Sequence, residues 1–295
     1  MGHDTAPEVL LKALQQLPLP EHTSLLAIGL PQYEHLASPL AYQSASQVIE
    51  MNDPPLAAVR KKKDSSLSSG LRLLKEGSID AFISAGNTGA LVSASKMILG
   101  MAPGFSRPAL LALLPTKKKP LAIVDVGANI EAKASQLVQF AFMGAAYQKK
   151  RGIERPAVGL LNIGSESIKG TAELRLAYEL LSKLSSPPFH FLGNIEGNRA
   201  FQGDIDVLVT NGFTGNIFLK TSEGIANLLL EQLLTHIPQD TLEPHLASLK
   251  SQLHYTEYPG ALLAGVQGTV IKCHGYSTPK SFVSAINGAV QLSSA

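Results

Sequence analysis

The stretch from Asp206 to Lys220 constrains the fold of this chain more than any other. Val207–Val209 is a short apolar, β-branched run, which is typical of a buried parallel strand. The Gly/Asn-rich residues 210–216 then predict a tight turn, and the apolar period of residues 217–234 predicts a helix. A strand, a tight turn and a helix together can point free backbone amides at an anion. Since any strand–helix turn can carry glycine, the pattern predicts a site only if it recurs.

The same order of strand, polar loop and helix recurs along the chain and predicts the fold class. Alternating strands and helices indicate a doubly wound, mostly parallel α/β sheet. Four strand ends carry similar loops: Ala85-Gly-Asn-Thr-Gly89, Asp125-Val-Gly-Ala-Asn129, Asn162-Ile-Gly-Ser165 and Thr210-Asn-Gly-Phe-Thr-Gly-Asn216. The carboxyl ends of parallel strands line one edge, where ligands bind, so these loops predict a donor-rich crevice. The alternative is that each loop only turns the chain and caps a helix.

Composition limits the class of protein. With 295 residues the chain can form one large α/β domain or two small ones, and we expect a single domain with a helical excursion at about residues 234–258. The net charge of +2 argues against a polybasic nucleic-acid binder. The single cysteine, Cys273, excludes internal disulfides and fits a reducing cytosol. We find neither an apolar signal-peptide core nor a run long enough to span a membrane, and therefore expect a soluble or peripheral protein.

Several well-known site signatures are not found in the sequence. It contains no P-loop and no Gly-x-Gly-x-x-Gly after a strand, which disfavours nucleotide and dinucleotide chemistry but leaves phosphate or a phosphate monoester open. No acidic or histidine cluster has metal-ligand spacing, so we expect neither a metal nor another cofactor. No Gly-x-Ser-x-Gly motif indicates a serine nucleophile.

Three cations are candidates for charge stabilisation or proton transfer. Lys272 and His274 follow a predicted strand, and the alternation of a strand places them on the same face. Lys220 lies about one turn into the helix predicted after the turn at residues 210–216, near enough to reach the crevice. Each can instead be an ordinary solvated side chain. Cys273 faces the other way and reads as a small buried apolar residue rather than a nucleophile.

Two basic runs can bind an acidic partner. They are Arg60, Lys61, Lys62 and Lys63, and further along the chain residues 117–119. Such runs are most often solvated surface; the functional alternative is docking to an acidic protein or an anionic membrane.

Taken together, these motifs resemble the bacterial phosphate acyltransferase family of the PlsX type (acyl-ACP:phosphate acyltransferase, or acyl-ACP phosphotransacylase). The resemblance runs in order over essentially the whole chain. It rests on the four loops above and on Gly193-Asn-Ile-Glu196, Val270-Ile-Lys-Cys-His-Gly275, Ala58-Val-Arg-Lys-Lys-Lys-Asp-Ser-Ser66 and Met1-Gly-His-Asp4.

The resemblance implies a fold similar to the isopropylmalate dehydrogenase and phosphotransacetylase group, and a cytoplasmic homodimer associated peripherally with the membrane. It also implies transfer of a fatty acyl group from acyl carrier protein to inorganic phosphate. The acyl phosphate would then pass to a membrane-bound glycerol-3-phosphate acyltransferase in phospholipid biosynthesis.

The sequence departs from the family pattern in places. The family has a strand before the position of Met1, so we expect either a start further upstream or the loss of that strand. His3 replaces a glycine, Glu131 and Asn211 replace aspartates, and Cys273 replaces an alanine.

The implied chemistry assigns roles to the predicted residues. Phosphate is its own nucleophile, and attack on a thioester builds an oxyanion that requires preorganised donors or a cation. We expect Lys220, Lys272 or His274 to stabilise that charge or to protonate the departing thiolate. We expect the phosphate and thioester to be bound by Asn87, Thr88, Gly89, Asp125, Asn129, Asn162, Ser165, Gly212, Thr214, Gly215 and Asn216, with their backbone amides.

Two other functions remain open from the sequence. A phosphotransacylase that uses acyl-CoA needs the same crevice but no docking patch for a protein. A non-catalytic scaffold that recruits phospholipid enzymes to the membrane needs only the docking surfaces.

Overall fold

The computed structural model describes residues 2, 6–17, 19, 21–236, 260–273 and 279–293, which fall into two compact units. Unit 1 comprises Met1–Pro108 and Tyr258–Ala295, and unit 2 comprises Ala109–Glu257. Most of the helical excursion expected at residues 234–258 lies outside the described residues.

Unit 1 contains two small groups of strands and their helices. Strands β1 (Leu26–Gly29) and β2 (Ala41–Ser44) pair in parallel. Strand β10 (Thr269–Lys272) pairs in parallel with β3 (Ala81–Ser84) and antiparallel with β9 (Ala261–Ala264). The helices are α1 (Pro7–Gln15), α2 (Pro55–Lys61), α3 (Ser66–Lys75), α4 (Thr88–Ile98) and α8 (Pro279–Ser293).

Unit 2 is built on strands in the order β4-β5-β8-β6-β7. They are β4 (Ala109–Leu114), β5 (Leu121–Val124), β6 (Ala157–Leu161), β7 (His190–Ile195) and β8 (Val207–Val209). All neighbouring pairs are parallel except β4 with β5. Helices α5 (Ala134–Lys150), α6 (Ala172–Ser182) and α7 (Gly212–His236) follow β5, β6 and β8.

Burial explains why short apolar runs form these strands. Every residue of β4, β5 and β8 is buried, as expected for strands covered on both faces. The first turn of α3 is capped by Ser65, whose hydroxyl accepts a hydrogen bond from the Ser68 amide. The mostly parallel α/β sheet predicted from the alternation is therefore confirmed.

Three local features differ from the expected pattern. The residues Gly193-Asn-Ile195, which we expected in a turn, belong to β7. The pairing of β7 with β6 shifts register after Val158 of β6, which marks a bulge. Strand β9 was not predicted, although Gly260 and Gly265 bracket its apolar run. β4 and β5 are antiparallel because the connector 115–120 is too short for a parallel crossover.

No helix in the described part of the chain combines the length and the apolar character that crossing a bilayer requires.

Candidate active site

Asp125 organises the loop that follows β5. Its side chain is fully buried, and its carboxylate accepts hydrogen bonds from the backbone amides of Leu110, Gly127, Ala128 and Asn129 at 2.7–3.1 Å. The Asn129 side-chain amide donates to the same carboxylate at 2.9 Å. Burial raises the pKa of the Asp125 carboxyl, although the donors from Ala128, Asn129 and Leu110 lower it. Because these donors surround the carboxylate, Asp125 shapes the loop instead of presenting a ligand oxygen.

Helix α7 begins directly against this loop. Gly212 donates its amide to the Asn129 carbonyl at 2.7 Å. A Cβ atom on Gly212 would lie 2.5 Å from that carbonyl oxygen, and one on Gly215 would lie 1.9 Å from the Asp125 carbonyl oxygen. The Asn216 side-chain amide donates to the Val126 carbonyl at 3.1 Å. The two glycines are therefore required by close backbone approach.

The first turn of α7 uses most of its own donors. The Asn211 side chain accepts from the Thr214 amide at 2.8 Å, which is the hydrogen bond of a helix N-cap, and the Asn211 carbonyl accepts from Gly215. Because the Gly212 amide also donates to the Asn129 carbonyl, few backbone amides of this turn remain free to bind an anion. The exposed side chains of Thr214 and Asn216 are its remaining polar groups toward solvent.

The loop after β6 carries hydrogen-bond donors that have no acceptor in the described part of the chain. Asn162 closes it, because its amide donates to the Lys169 carbonyl at 3.1 Å and its oxygen accepts from the Ile163 amide at 2.8 Å. Within the closed loop, Ser165 and Ser167 are exposed, and in the described part of the chain neither residue donates from its amide or its hydroxyl. β6 lies next to β8, so this loop leaves the same edge as the α7 turn.

Sequence reasoning missed a residue that positions this loop. The Asn194 side-chain amide donates to the Glu166 carbonyl at 2.8 Å, and Asn194 is buried. Asn194 is part of the motif Gly193-Asn-Ile-Glu196, which could have indicated its role. We expected a turn there, whereas the structure places Asn194 in β7.

In unit 1, Asn87 holds the start of α4. Its oxygen accepts from the Ala90 amide at 3.0 Å, and its amide donates to the carbonyls of Glu50, Met51 and Asp53 at 2.9–3.2 Å. These contacts fit a positioning role for Asn87 better than direct contact with phosphate. The amides of Thr88 and Gly89 have no partner among the described residues, so the helix start retains donor capacity.

Lys272 brings a cation to the same loop of unit 1. Its side chain is buried, and its ammonium group donates to the carbonyls of Ala85, at 3.3 Å, and Cys273. Burial raises the pKa of the Cys273 thiol to about 12, although Lys272 lowers it in part, so this thiol is no nucleophile at neutral pH. His274 lies outside the described residues.

The other candidate cations are half-exposed or on the surface. Lys220 forms an ion pair with Glu223, with 2.6 Å between nitrogen and oxygen. Lys62 is half-buried and pairs with Asp53 at 2.6 Å, while also donating to the Val48 carbonyl. Of the predicted docking run, the exposed residues are Arg60, Lys61 and Lys63.

The second basic run is partly structural. Lys117 donates to the Gln202 side chain at 2.7 Å. Lys119 Nζ lies 2.5 Å from Oδ1 of the buried Asp206, in an ion pair without hydrogen-bond alignment. Lys118 remains exposed between them.

The structure thus brings together the predicted residues of unit 2. Asp125, Asn129, Gly212, Gly215 and Asn216 interlock, and Asn162 with Ser165 lies on the neighbouring strand end. Across the described ranges, no group of three His, Cys, Asp or Glu side chains is arranged to hold a metal ion.

The chain is similar to known proteins over nearly its whole length. The family model described as "Fatty acid synthesis protein" matches residues 19–295. A phosphate acyltransferase of Chlamydia abortus is 43% identical over 304 residues, covering 99% of this chain and 93% of that protein. A phosphate acyltransferase of Staphylococcus aureus is 40% identical over 301 residues, covering 98% and 91%.

The fold also resembles a solved structure. The EutD phosphotransacetylase from Staphylococcus aureus superposes with a TM-score of 0.63 at 17% identity, covering 97% of this chain and 91% of that one. At that identity the likeness establishes the fold alone. The sequence matches establish more: the chain belongs to the fatty acid synthesis protein family, together with these phosphate acyltransferases.

Proposed function

We propose that the chain transfers a fatty acyl group from acyl carrier protein to inorganic phosphate. A phosphate oxygen attacks the thioester carbonyl, the C–S bond breaks, and the departing thiolate takes up a proton. The products are acyl phosphate and the free thiol of the carrier. Phosphate supplies the nucleophile, which agrees with a Cys273 thiol that is buried and protonated.

The observation that carries the proposal is the character of the loop after β6. Its Ser165 and Ser167 offer amides and hydroxyls with no partner in the described part of the chain, which suits an anion. Ile163 and Ile168 in the same loop are 81% and 76% exposed. Large apolar side chains this exposed beside polar donors suit a substrate that is anionic at one end and a hydrocarbon at the other.

The cations have a proposed role in the chemical step. A buried ammonium stabilises a developing negative charge more than a solvated one because the surroundings are less polarisable. Lys272 meets this condition, and the α4 start beside it adds the amides of Thr88 and Gly89. Lys220 and His274 remain proposed for the same step or for protonation of the thiolate.

The proposal also includes a second copy of the chain, the membrane and a membrane-bound acyltransferase as partners. Exposed Ile225, Leu228 and Leu229 recur at helical spacing on α7, and such a face suits a second copy of the chain. We propose a cytoplasmic homodimer that contacts the membrane peripherally and passes acyl phosphate to a membrane-bound glycerol-3-phosphate acyltransferase.

The test is acyl phosphate formation by purified protein from acyl carrier protein or acyl-CoA donors. We expect product with the carrier protein as donor. Ser165→Ala should raise the KM for phosphate by about 10-fold, the effect of losing a hydrogen bond to a charged group. Lys272→Met, which keeps the side-chain volume, should lower kcat by about 100-fold.

Ser185→Ala is the matched control, because Ser185 is an exposed serine in the connection between α6 and β7. It should leave both constants unchanged. Product only from acyl-CoA would assign a different donor. No product from any thioester would overturn the enzymatic proposal in favour of a scaffold.

A further inference from the structure

The loop after β6 carries a lysine whose charge is not used by the fold. Lys169 is exposed, and in the described part of the chain its ammonium group makes neither a hydrogen bond nor an ion pair. It lies in the same loop as Ser165 and Ser167, whose amides and hydroxyls are also free of partners there. A cation next to unused amide donors supplies both of the interactions by which proteins bind phosphate.

The other cations considered for the site are already engaged. Lys220 is in its ion pair, and the buried ammonium group of Lys272 donates to two backbone carbonyls. Arg175, in the helix that follows the loop, donates to the Gly170 carbonyl at 2.6 Å. Lys169 can therefore bind an anion without first breaking a contact with a described residue.

Two buried asparagines fix the backbone of Lys169. Its carbonyl accepts a hydrogen bond from the Asn162 side-chain amide at 3.1 Å. Its own amide donates to the Glu166 carbonyl at 3.1 Å, and the same carbonyl accepts from the Asn194 side-chain amide at 2.8 Å. Asn162 follows β6 directly and Asn194 belongs to β7, which pairs with β6. The two neighbouring strands therefore determine where this lysine leaves the backbone.

The aliphatic stem of Lys169 lies across the loop. Gly164 is buried, although Ile163 and Ser165 on either side of it are exposed. A Cβ atom on Gly164 would lie 3.2 Å from Cγ and 3.5 Å from Cδ of Lys169, so the stem helps to cover this glycine. Nζ, which Cε joins to Cδ, is therefore close to the backbone of Gly164 and Ser165. The stem packs on the loop while the charged end stays accessible to a ligand.

An acidic side chain makes this cation necessary for an anion site. Among residues 162–170, Glu166 is the one acid and Lys169 the one base. A Cβ atom on Gly164 would lie 2.8 Å from Oε2 of Glu166, so the carboxylate is next to the same part of the loop. Without Lys169 the loop would present only a negative charge to phosphate, and like charges at such distances repel.

We propose that Lys169 is a further substrate-binding residue, whose ammonium group contacts phosphate bound at the donors of Ser165 and Ser167. The identity of the anion rests on the proposed function. The ammonium group offsets charge on the phosphate oxygens that do not attack, and the serine donors orient the anion. A lysine suits this division because it acts as a point charge, whereas the amides supply direction. Phosphate held in this way is positioned before it meets the thioester carbonyl.

The experiment measures phosphate binding directly, by calorimetry without an acyl donor, and then turnover. Lys169→Met removes the charge but keeps most of the stem, and should weaken phosphate binding and raise the KM for phosphate by about 10–100-fold. The KM for acyl carrier protein and the Tm should not change. Lys169→Arg keeps the charge and should recover most of the affinity. Lys150→Met, at an exposed lysine at the end of α5, is the matched control and should bind phosphate normally.

The two measurements separate this inference from the proposed function. Unchanged phosphate affinity in Lys169→Met would overturn the inference and leave the function intact, and so would a rise in the KM for acyl carrier protein alone. Absence of phosphate binding by the unaltered protein, or equal losses in Lys169→Arg and Lys169→Met, would also overturn it. Phosphate binding that depends on Lys169, without acyl phosphate formation from any thioester, would support the inference and overturn the function.

Discussion

At the scale of single residues, Gly212 and Gly215 allow the first turn of α7 to lie on the backbone of the loop after β5. Neither glycine is required by a positive φ angle, since both are helical. The requirement is space, because a methyl group on either would meet backbone rather than a side chain that can move. The loop conformation set by Asp125 and the start of α7 therefore depend on each other.

This dependence predicts opposite effects for two glycines of the same helix. Gly215→Ala should lower the free energy of unfolding by about 3 kcal/mol, because overpacking against backbone cannot relax easily. Gly224→Ala should raise it by about 0.5–1 kcal/mol, since Gly224 is exposed with nothing within 4 Å of an added Cβ atom. Urea unfolding of both variants measures the difference. Equal shifts would contradict the close approach.

At the scale of elements, Asn211 shows how α7 begins at a position where the family resemblance leads us to expect an aspartate. The hydrogen bond from the Thr214 amide requires an oxygen acceptor, which either residue supplies. The capping role therefore survives the replacement. The negative charge is not part of that role, although it would favour a helix N-terminus.

The cap predicts a graded response at position 211. Asn211→Ala should lower the free energy of unfolding by about 1 kcal/mol, because the Thr214 amide loses its acceptor. Asn211→Asp keeps the acceptor and should leave stability within about 0.5 kcal/mol. Thermal and urea unfolding measure both. If Asn211→Asp is as destabilising as Asn211→Ala, the side chain has a role other than capping.

At the scale of the whole molecule, charge on the surface bears on the proposed partner. Three residues of the first basic run are exposed, whereas Lys62 is used in its ion pair with Asp53. The hydrogen bond from Lys62 holds the pKa of Asp53 below its usual value. The run therefore divides into surface charge that a partner can contact and one lysine that supports the fold.

This division predicts a separable docking effect. The double variant Lys61→Glu, Lys63→Glu should raise the KM for acyl carrier protein by about 10-fold, an effect that weakens with added salt, and should leave Tm unchanged. Lys150→Glu reverses an exposed charge at the end of α5, outside both basic runs, and serves as the control. Lys62→Glu should instead lower Tm. An unchanged KM in the double variant would reject docking at this surface.

The sequence by itself determined the class of fold and the family. Apolar period, turn residues and motif order depend on neighbours a few positions away, so strands such as β8 and β10 could be read directly from it. The tertiary structure decided which polar groups are already used, because their partners are distant in sequence. Asp125 meets the Leu110 amide, Asn87 meets the Glu50 carbonyl and Asn216 meets the Val126 carbonyl.

The predicted phosphate-binding residues therefore fall into two kinds that sequence could not separate. Asp125, Asn87 and Asn162 have the residue types of ligands, but they use their hydrogen bonds to shape loops. Ser165 and Thr88 lie in loops that also contain Gly and Asn, but their backbone amides have no acceptor among the described residues. A hydrogen bond forms only where folding brings donor and acceptor within about 3 Å, and composition and spacing along the chain do not determine that distance.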